Sequence, residues 1–294
     1  MLVTLGAATE DGPGGARGAT WARLSVLAPR VGVMSERRAG APLWVDLMTT
    51  NVTRAEAFYG AVLGWQLTDT GPESGHYRIV SAPDGTQLAG VMERTADMPA
   101  DIPDAWSVYL HTADAERTLE EARAVGGHVQ VPAMEVPGPD GPQGTMAFLV
   151  DPAGAAVGLW QPGAREGLHL SGDRGHVAWV ECLSRDLDAS LAFYREVLGM
   201  DLQEMPGAPA RYHLLGSYEE SELGMCDDSV LPPGAPSLWR VYFAVDDADA
   251  ACELVRAHGG QVVDGPADSP HGRIATCTDD QGALFLLAGP NREN

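Results

Sequence analysis

The chain is short of positive charge, of cysteine and of long apolar runs, and each shortage excludes something. Lys and Arg number 19 against 41 Asp and Glu, a formal charge of −22. Such a surface repels the phosphates of nucleic acids and of anionic lipids, so neither is expected as a partner. No apolar run approaches the ~20 residues that a membrane-spanning helix needs. The opening residues, MLVTLGAATEDGPGGARG, lack the basic start and sustained apolar stretch of a secretory signal. Only four cysteines occur, Cys182, Cys226, Cys252 and Cys277, with no C-x-x-C pair. They read as reduced, buried thiols of a cytoplasmic protein, not as a disulfide frame or a zinc site. No Ser-His-Asp constellation, Walker loop or dinucleotide fingerprint is evident. GPGG and GPDGP are turns that do not open a helix after a strand, as phosphate loops do.

What is there is a sentence written twice. LWVDLMTTNVTRAEAFYGAVLGW, from Leu43, returns as AWVECLSRDLDASLAFYREVLGM, from Ala178. In the first copy a strand-like run leads into a helix whose apolar stripe is Ala55, Phe58, Tyr59, Val62 and Leu63. Thr53 with Glu56 fits a capping box, and Gly64 is placed to stop the helix. The second copy repeats this with Asp188 as cap and Gly199 as stop. Short strands follow: HYRIVSA and TQLAGVME, then RYHLLGS and SELGMC. WSVYLHTADAERTLEEARAVGGHVQV and WRVYFAVDDADAACELVRAHGGQVVD then each give strand, helix, double-glycine stop and strand. Each copy closes on two strands around an Asp-rich turn carrying Gly154 or Gly282. The chain therefore reads as four βαβββ units, two per copy. Residues 1–41, rich in Gly, Ala and Arg, read as a flexible N-terminal extension, and Met34 competes with Met1 as the true start.

AEAFYGAVLGW and LAFYREVLGM after a first strand, the VYLHTAD and VYFAVDD openings, and the closing DPAGAAVGLW and DDQGALFLL resemble the vicinal oxygen chelate superfamily. This is the glyoxalase, bleomycin-resistance and extradiol dioxygenase group. The resemblance implies an α+β fold of two tandem domains, residues 42–163 and 172–290, each curling two βαβββ modules into a cup. It leaves the activity open, because the family holds lyases, isomerases, dioxygenases and antibiotic-sequestering proteins. Its metal enzymes draw ligands from the first strand of each module and from the last strand. By spacing from the Phe-Tyr pair, those positions are Val45, Ser107 and Gly158 in the first copy, and Val180, Arg240 and Leu286 in the second. None is an ordinary metal ligand, so neither a metal nor another cofactor is expected.

Strand alternation then groups Leu47 with Val45, Tyr109 and His111 with Ser107, and Trp160 with Gly158 on the first cavity face. In the second copy it groups Cys182 with Val180, Tyr242 with Arg240, and Leu284 with Leu286. Gly158 leaves room for a flat ligand over the Trp160 indole, Arg240 suits an anion or a ring, and His271 is the polar candidate at the second mouth. Trp44 and Trp179 are expected on the opposite face, as core. Asp46 and Glu181 are a matched acidic pair expected to make structural hydrogen bonds. His213 and Glu222 are expected to meet across the second cup, as an acid/base pair or a surface ion pair, and His258 caps a helix end. The leading function is a metal-free protein binding a small, partly aromatic molecule, of antibiotic-resistance or carrier type. The alternative is a metal-independent enzyme of secondary metabolism, hydroxylase-, cyclase- or isomerase-like. A metal-dependent lyase or dioxygenase ranks third. A monomeric pseudo-dimer or a homodimer is expected.

Overall fold

The computed structural model describes residues 37–292 apart from 97, 99–101, 139–140, 166, 209, 228–230 and 232–233. Most of the N-terminal extension therefore lies outside the described residues. The first domain runs β1 (Pro42–Thr49), α1 (Val52–Leu63), β2 (Gln66–Asp69), β3 (Arg78–Ser81), β4 (Gln87–Glu93), then β5 (Ala105–His111), α2 (Ala115–Ala124), β6 (His128–Val136), β7 (Gly144–Val150) and β8 (Ala156–Pro162). The second repeats it as β9 (Val177–Ser184), α3 (Leu187–Leu198), β10 (Leu202–Glu204), β11 (Tyr212–Leu215), β12 (Leu223–Asp227), β13 (Leu238–Ala244), α4 (Ala248–Ala257), β14 (Gln261–Ser269), β15 (Gly272–Thr278) and β16 (Leu284–Gly289). These are the four βαβββ modules of an α+β chain.

Each domain is one eight-stranded sheet, in the orders β2-β3-β4-β1-β5-β8-β7-β6 and β10-β11-β12-β9-β13-β16-β15-β14. The two modules of a domain meet at an antiparallel seam, β1 with β5 and β9 with β13. Helix stops follow the expected chemistry: Gly64 and Gly199 adopt the left-handed conformation that a Cβ disfavours. The caps differ from expectation. Asn51, not Thr53, accepts the Arg54 N–H, and Asp186, not Asp188, accepts the Ala189 N–H. In each case the chain turns two residues earlier than the sequence pattern suggested, and the side chain nearest the turn takes the free donor.

The Phe-Tyr pair of each copy packs against the other copy. The Tyr59 hydroxyl donates to Asp279, 3.0 Å away in the turn between β15 and β16, and itself accepts from Trp106 Nε1 at 2.9 Å. In mirror fashion Tyr194 accepts from Trp239 Nε1 at 2.9 Å and bonds to Asp151 in the turn between β7 and β8, where Ser190 also donates at 2.8 Å. Phe58 lies on Gly260 and Phe193 on Gly127, the second glycine of each double-glycine stop, where a Cβ would collide with the ring. Trp65, Trp106, Phe243 and Phe285 complete an aromatic cluster that crosses between domains, with centroid separations of 4.9 Å and 5.0 Å from Phe243 to Trp65 and Trp106. The helices thus share one continuous core. Each sheet's other face is left to form a cup.

Candidate functional site: two cups with acidic floors

Register decides what each cup contains. Directly opposed residues of an antiparallel pair share a face. On the first seam Asp46 opposes Ser107 and Trp44 opposes Tyr109, while Leu47 opposes Trp106 and Val45 opposes Val108. Trp106 reaches Tyr59 in the helix layer, so Val45 and Leu47, both fully buried, face the helices. Trp44 and Asp46 face the cup with Ser107, Tyr109 and His111. The second seam agrees: Glu181 opposes Arg240, Trp179 opposes Tyr242, and Val180 opposes Val241. The expected faces of the first strands are therefore reversed. Val45, Leu47, Val180 and Cys182 belong to the helix-side core, and the two tryptophans belong to the cups. The strands β5, β8, β13 and β16 carry the expected faces, including Gly158 and Trp160 beside Tyr109 and His111.

At the centre of the first floor Asp46 is nearly buried, 9% exposed. Its Oδ1 accepts from Trp44 Nε1 at 2.7 Å and from the Tyr77 hydroxyl in a very short bond, and Tyr109 is a third donor. Trp44 Nε1 also reaches the Tyr77 oxygen at 2.9 Å. Burial raises the Asp46 carboxyl above the ordinary aspartate value of 3.8, against the lowering pull of these hydrogen bonds and of the Arg165 charge. The guanidinium of Arg165 lies over the Trp44 ring, 4.8 Å from its centre. Burial, with the Asp46 charge, pushes the Tyr77 and Tyr109 hydroxyls well above 10, so both keep their protons. Gly90, opposite Asp46 on β4, leaves the space that the Tyr77 hydroxyl fills.

The second floor repeats this plan and adds a cation. Glu181 accepts from Tyr212 at 2.7 Å and Tyr242 at 2.8 Å, and Trp179 Nε1 donates to Tyr212 at 3.2 Å. Gly224 stands where Gly90 stands, clearing the Tyr212 hydroxyl. Arg240, in the place of Ser107, donates its Nε to Glu181 at 2.6 Å and a terminal nitrogen to the same oxygen. Burial pushes the Glu181 carboxyl upward, but the Arg240 charge with the Tyr212, Arg240 and Tyr242 hydrogen bonds outweighs it, and the carboxyl sits below its ordinary value. Arg240 thus meets an anion and a ring within its own floor, paired with Glu181 and lying over Tyr242, 5.5 Å from the ring centre.

Other expected residues fall in distinct places. The space at Gly158 is filled by the Tyr109 ring, and Trp160, 6% exposed, donates its Nε1 to the Arg165 carbonyl and packs on Gly144. A flat ligand has no open indole there. His111 lies at the end of β5, its ring at 3.1 Å from the Arg38 carbonyl. His271, in the turn before β15, is close enough to feel the Glu181 charge, although burial lowers its pKa. His213 does not meet Glu222: it opposes Met225, which opposes the core residue Cys182, and its Nδ1 is buried without a partner. His258 ends α4, its ring at 2.9 Å from the Leu254 carbonyl. An open cleft of about 430 Å³ between the domains, lined by Thr50, Arg54, Asp104, Asp280 and Gln281 among others, is polar and crossed by the Arg54–Asp280 ion pair. It is a seam of the two halves and lacks the aromatic surface of the cups.

Neither floor fits a divalent ion. Among the described residues no three His, Cys, Asp or Glu side chains gather as a metal-holding set. The groups around Asp46 are hydrogen donors, and Glu181 already carries a cation.

The profile of the Glyoxalase/Bleomycin resistance protein/Dioxygenase superfamily matches residues 42–159 and again 176–287. The chain belongs to this superfamily. Among its superfamily relatives, "Putative glyoxylase CFP32" of Mycobacterium tuberculosis is 37% identical over 258 residues, covering 87% of this chain and 97% of the relative. The anthracycline biosynthesis protein DnrV of Streptomyces peucetius is 32% identical over 272 residues, covering 86% and 94%. Solved glyoxalase-superfamily structures share the fold. The Mn(II)-bound glyoxalase from Novosphingobium aromaticivorans superposes with a TM-score of 0.57 at 16% identity, covering 87% of this chain and 84% of that one.

Sequence reasoning expected the two carboxylates to make structural hydrogen bonds, as they do, and missed the two tyrosines, Tyr77 and Tyr212, that donate to them. A signal was there. Asp46 and Tyr77 are 31 residues apart, as are Glu181 and Tyr212, and each tryptophan stands 33 before its tyrosine.

Proposed function

We propose that this chain binds a small, partly aromatic molecule in its first cup without the help of a metal, as a protein of secondary metabolism. The observation that carries this reading is Asp46: a buried carboxyl ringed by Trp44, Tyr77 and Tyr109, with Ser107 where the second cup has Arg240. An apolar, aromatic recess with few polar groups is the ordinary makeup of a small-molecule site. The kinship with a protein named for anthracycline biosynthesis supports a polycyclic aromatic ligand. Four buried free thiols suit a cytoplasmic setting, and the helix layer shared by the two halves suits a monomeric pseudo-dimer. Among the described residues no helix is long and apolar enough to cross a membrane.

The test is titration of the purified protein with hydroxylated naphthalenes and anthraquinones, followed by tryptophan fluorescence and calorimetry, with elemental analysis of the protein as isolated. Saturable 1:1 binding to a protein without stoichiometric metal is expected, abolished by Ser107→Arg, which brings a cation to Asp46. Binding that survives Ser107→Arg, or a stoichiometric transition metal, overturns the reading. Sedimentation at the mass of one chain is expected alongside.

A further inference from the structure

The two floors share a tryptophan, two tyrosines, a carboxylate and a glycine in the same places, and differ in the residue directly opposite the carboxylate. In the second cup Arg240 holds the carboxylate in a permanent ion pair. In the first, Ser107 brings no cation to the carboxylate, which is bonded by hydrogen donors and feels the Arg165 guanidinium only through its charge. We propose that the first cup is an acid–base site, in which Asp46 removes a proton from the carbon beside the carbonyl of a fused-ring aromatic ketone and Tyr77 holds the enolate oxygen. This rests on the reading of the first cup as a site for a small aromatic molecule.

The step balances without an oxidant or a second reactant. The C–H bond breaks and its proton goes to Asp46. The electron pair of that bond becomes the enolate double bond, and the carbonyl π pair moves onto oxygen. Return of the proton to the same carbon regenerates the ketone, and return to a conjugated carbon gives an isomer. The hydrogen bonds of the floor are arranged for this movement of charge. At rest Tyr77 donates to the Asp46 carboxylate, and Trp44 Nε1 lies 2.7 Å from Asp46 Oδ1 and 2.9 Å from the Tyr77 oxygen. Once Asp46 gains the proton, the negative charge lies on the enolate oxygen, and the Tyr77 hydroxyl is free to turn to it. Tyr77 keeps its own proton throughout, because burial and the Asp46 charge hold it well above 10. Burial also makes Asp46 a stronger base than an exposed aspartate. Glu181 has the same phenol beside it, but Arg240 stabilises its charged form and takes that basicity away.

The test uses 2-tetralone in D2O with the full-length protein. Loss of the C1 proton signal is followed by NMR, and binding is followed separately by tryptophan fluorescence. Wild type is expected to exchange at least about tenfold faster than buffer. Asp46→Asn, nearly isosteric and still an acceptor for Trp44 and Tyr77, should lower the catalysed rate by roughly 10²–10⁴-fold, the usual range for a lost general base, with binding retained. Tyr77→Phe should cost roughly 10²–10³-fold, as for a lost oxyanion donor. The pair Glu181→Gln with Arg240→Met, in the other cup, should leave exchange unchanged. Binding without exchange, or exchange that survives Asp46→Asn, overturns the acid–base inference and leaves the binding reading standing. Failure of 2-tetralone and of the hydroxylated aromatics alike to bind overturns both.

Discussion

Replacing Arg240 by methionine gives the sharpest test of how the second floor is held. Glu181 is 5% exposed, and the Arg240 side chain 17%, so neither charge is well solvated. Arg240→Met keeps most of the aliphatic volume but leaves a buried carboxylate with only Tyr212 and Tyr242 as donors. Removing one partner of such a pair costs about 3–5 kcal/mol, most of it the uncompensated charge. At roughly 2–4 °C per kcal/mol for a domain of this size, the melting temperature should fall by about 6–20 °C at pH 7.5. Adding Glu181→Gln removes the stranded charge, its amide oxygen accepting from one phenol and its NH2 donating to the other phenol oxygen, so the double variant should return to within about 1 kcal/mol of wild type. The pH dependence has a definite sign. In wild type the Glu181 pKa is depressed below 4.5, a contribution present above that value and lost as pH falls through the folded-state pKa. Without Arg240, burial, the largest influence on this carboxyl, is opposed only by the Tyr212 and Tyr242 hydrogen bonds, so the folded-state pKa rises and the single variant regains stability as the carboxylate protonates. Urea melts of the two variants at pH 7.5 and pH 4.5 measure this. A single variant that loses less than about 1 kcal/mol, or a deficit that does not shrink in acid, refutes the reasoning.

Three further outcomes follow from the same geometry. The Asp46 carboxyl titrates above 3.8 in the folded state, so the folded chain holds the proton longer and wild type loses stability as pH rises through that folded-state pKa. Asp46→Asn should therefore melt close to wild type at pH 3.5 and above it at pH 7.5; equal differences at both values would contradict the raised pKa. Gly90→Ala places a methyl group on the Tyr77 hydroxyl and should cost about 1–3 kcal/mol by overpacking while abolishing aromatic binding, as read by urea melts and fluorescence titration. Tyr59→Phe removes the only side-chain donor found for Asp279 among the described residues and an acceptor from Trp106. It should cost about 1–3 kcal/mol in thermal or urea unfolding, with no change in first-cup binding, because the bond lies on the helix side of the sheet.

The fold was legible because its signals repeat. Phe58-Tyr59 and Phe193-Tyr194 mark helices in both copies, Gly64 and Gly199 stop them, and the Asp turns at Gly154 and Gly282 close the last hairpins. What the aromatic pairs pack against was not legible. Amphipathic spacing reports that Phe58 is buried, but not that Gly260 of the other copy receives it. The cups were half legible. Alternation groups residues on a strand correctly but does not say which group faces the helices, and one residue of slip exchanges the two sets. In WVDL and WVEC the valine was assigned to the cavity by spacing from the Phe-Tyr pair, and alternation carried the leucine or cysteine with it. The structure places them under the helices and gives the cavity the tryptophan and the acid. The acids were expected to be structural, which suits Glu181 in its ion pair. Sequence order gave no hint that Ser107 and Arg240 lie directly opposite the two acids, and that register is what separates their chemistry.

Covalent duplication is what permits that separation. If two identical chains paired through these helices, a change at the Ser107 or Arg240 position would alter both cups at once. In a fused pair the change falls on one. The contacts that hold the halves together, Tyr59 with Asp279 and Tyr194 with Asp151, lie on the helix side of each sheet and end in turns. The carboxylates lie on the other side, bonded within their own domain: Asp46 to Trp44 and Tyr77, Glu181 to Tyr212, Arg240 and Tyr242. Pairing therefore does not depend on what the floors contain. A buried ion pair could replace one floor's chemistry while the other kept a carboxylate free to titrate, and the shared core would be unaffected by either. Val45, Leu47, Val180 and Cys182 anchor β1 and β9 on the face that the cups do not use, so the two floors can differ without loss of the fold.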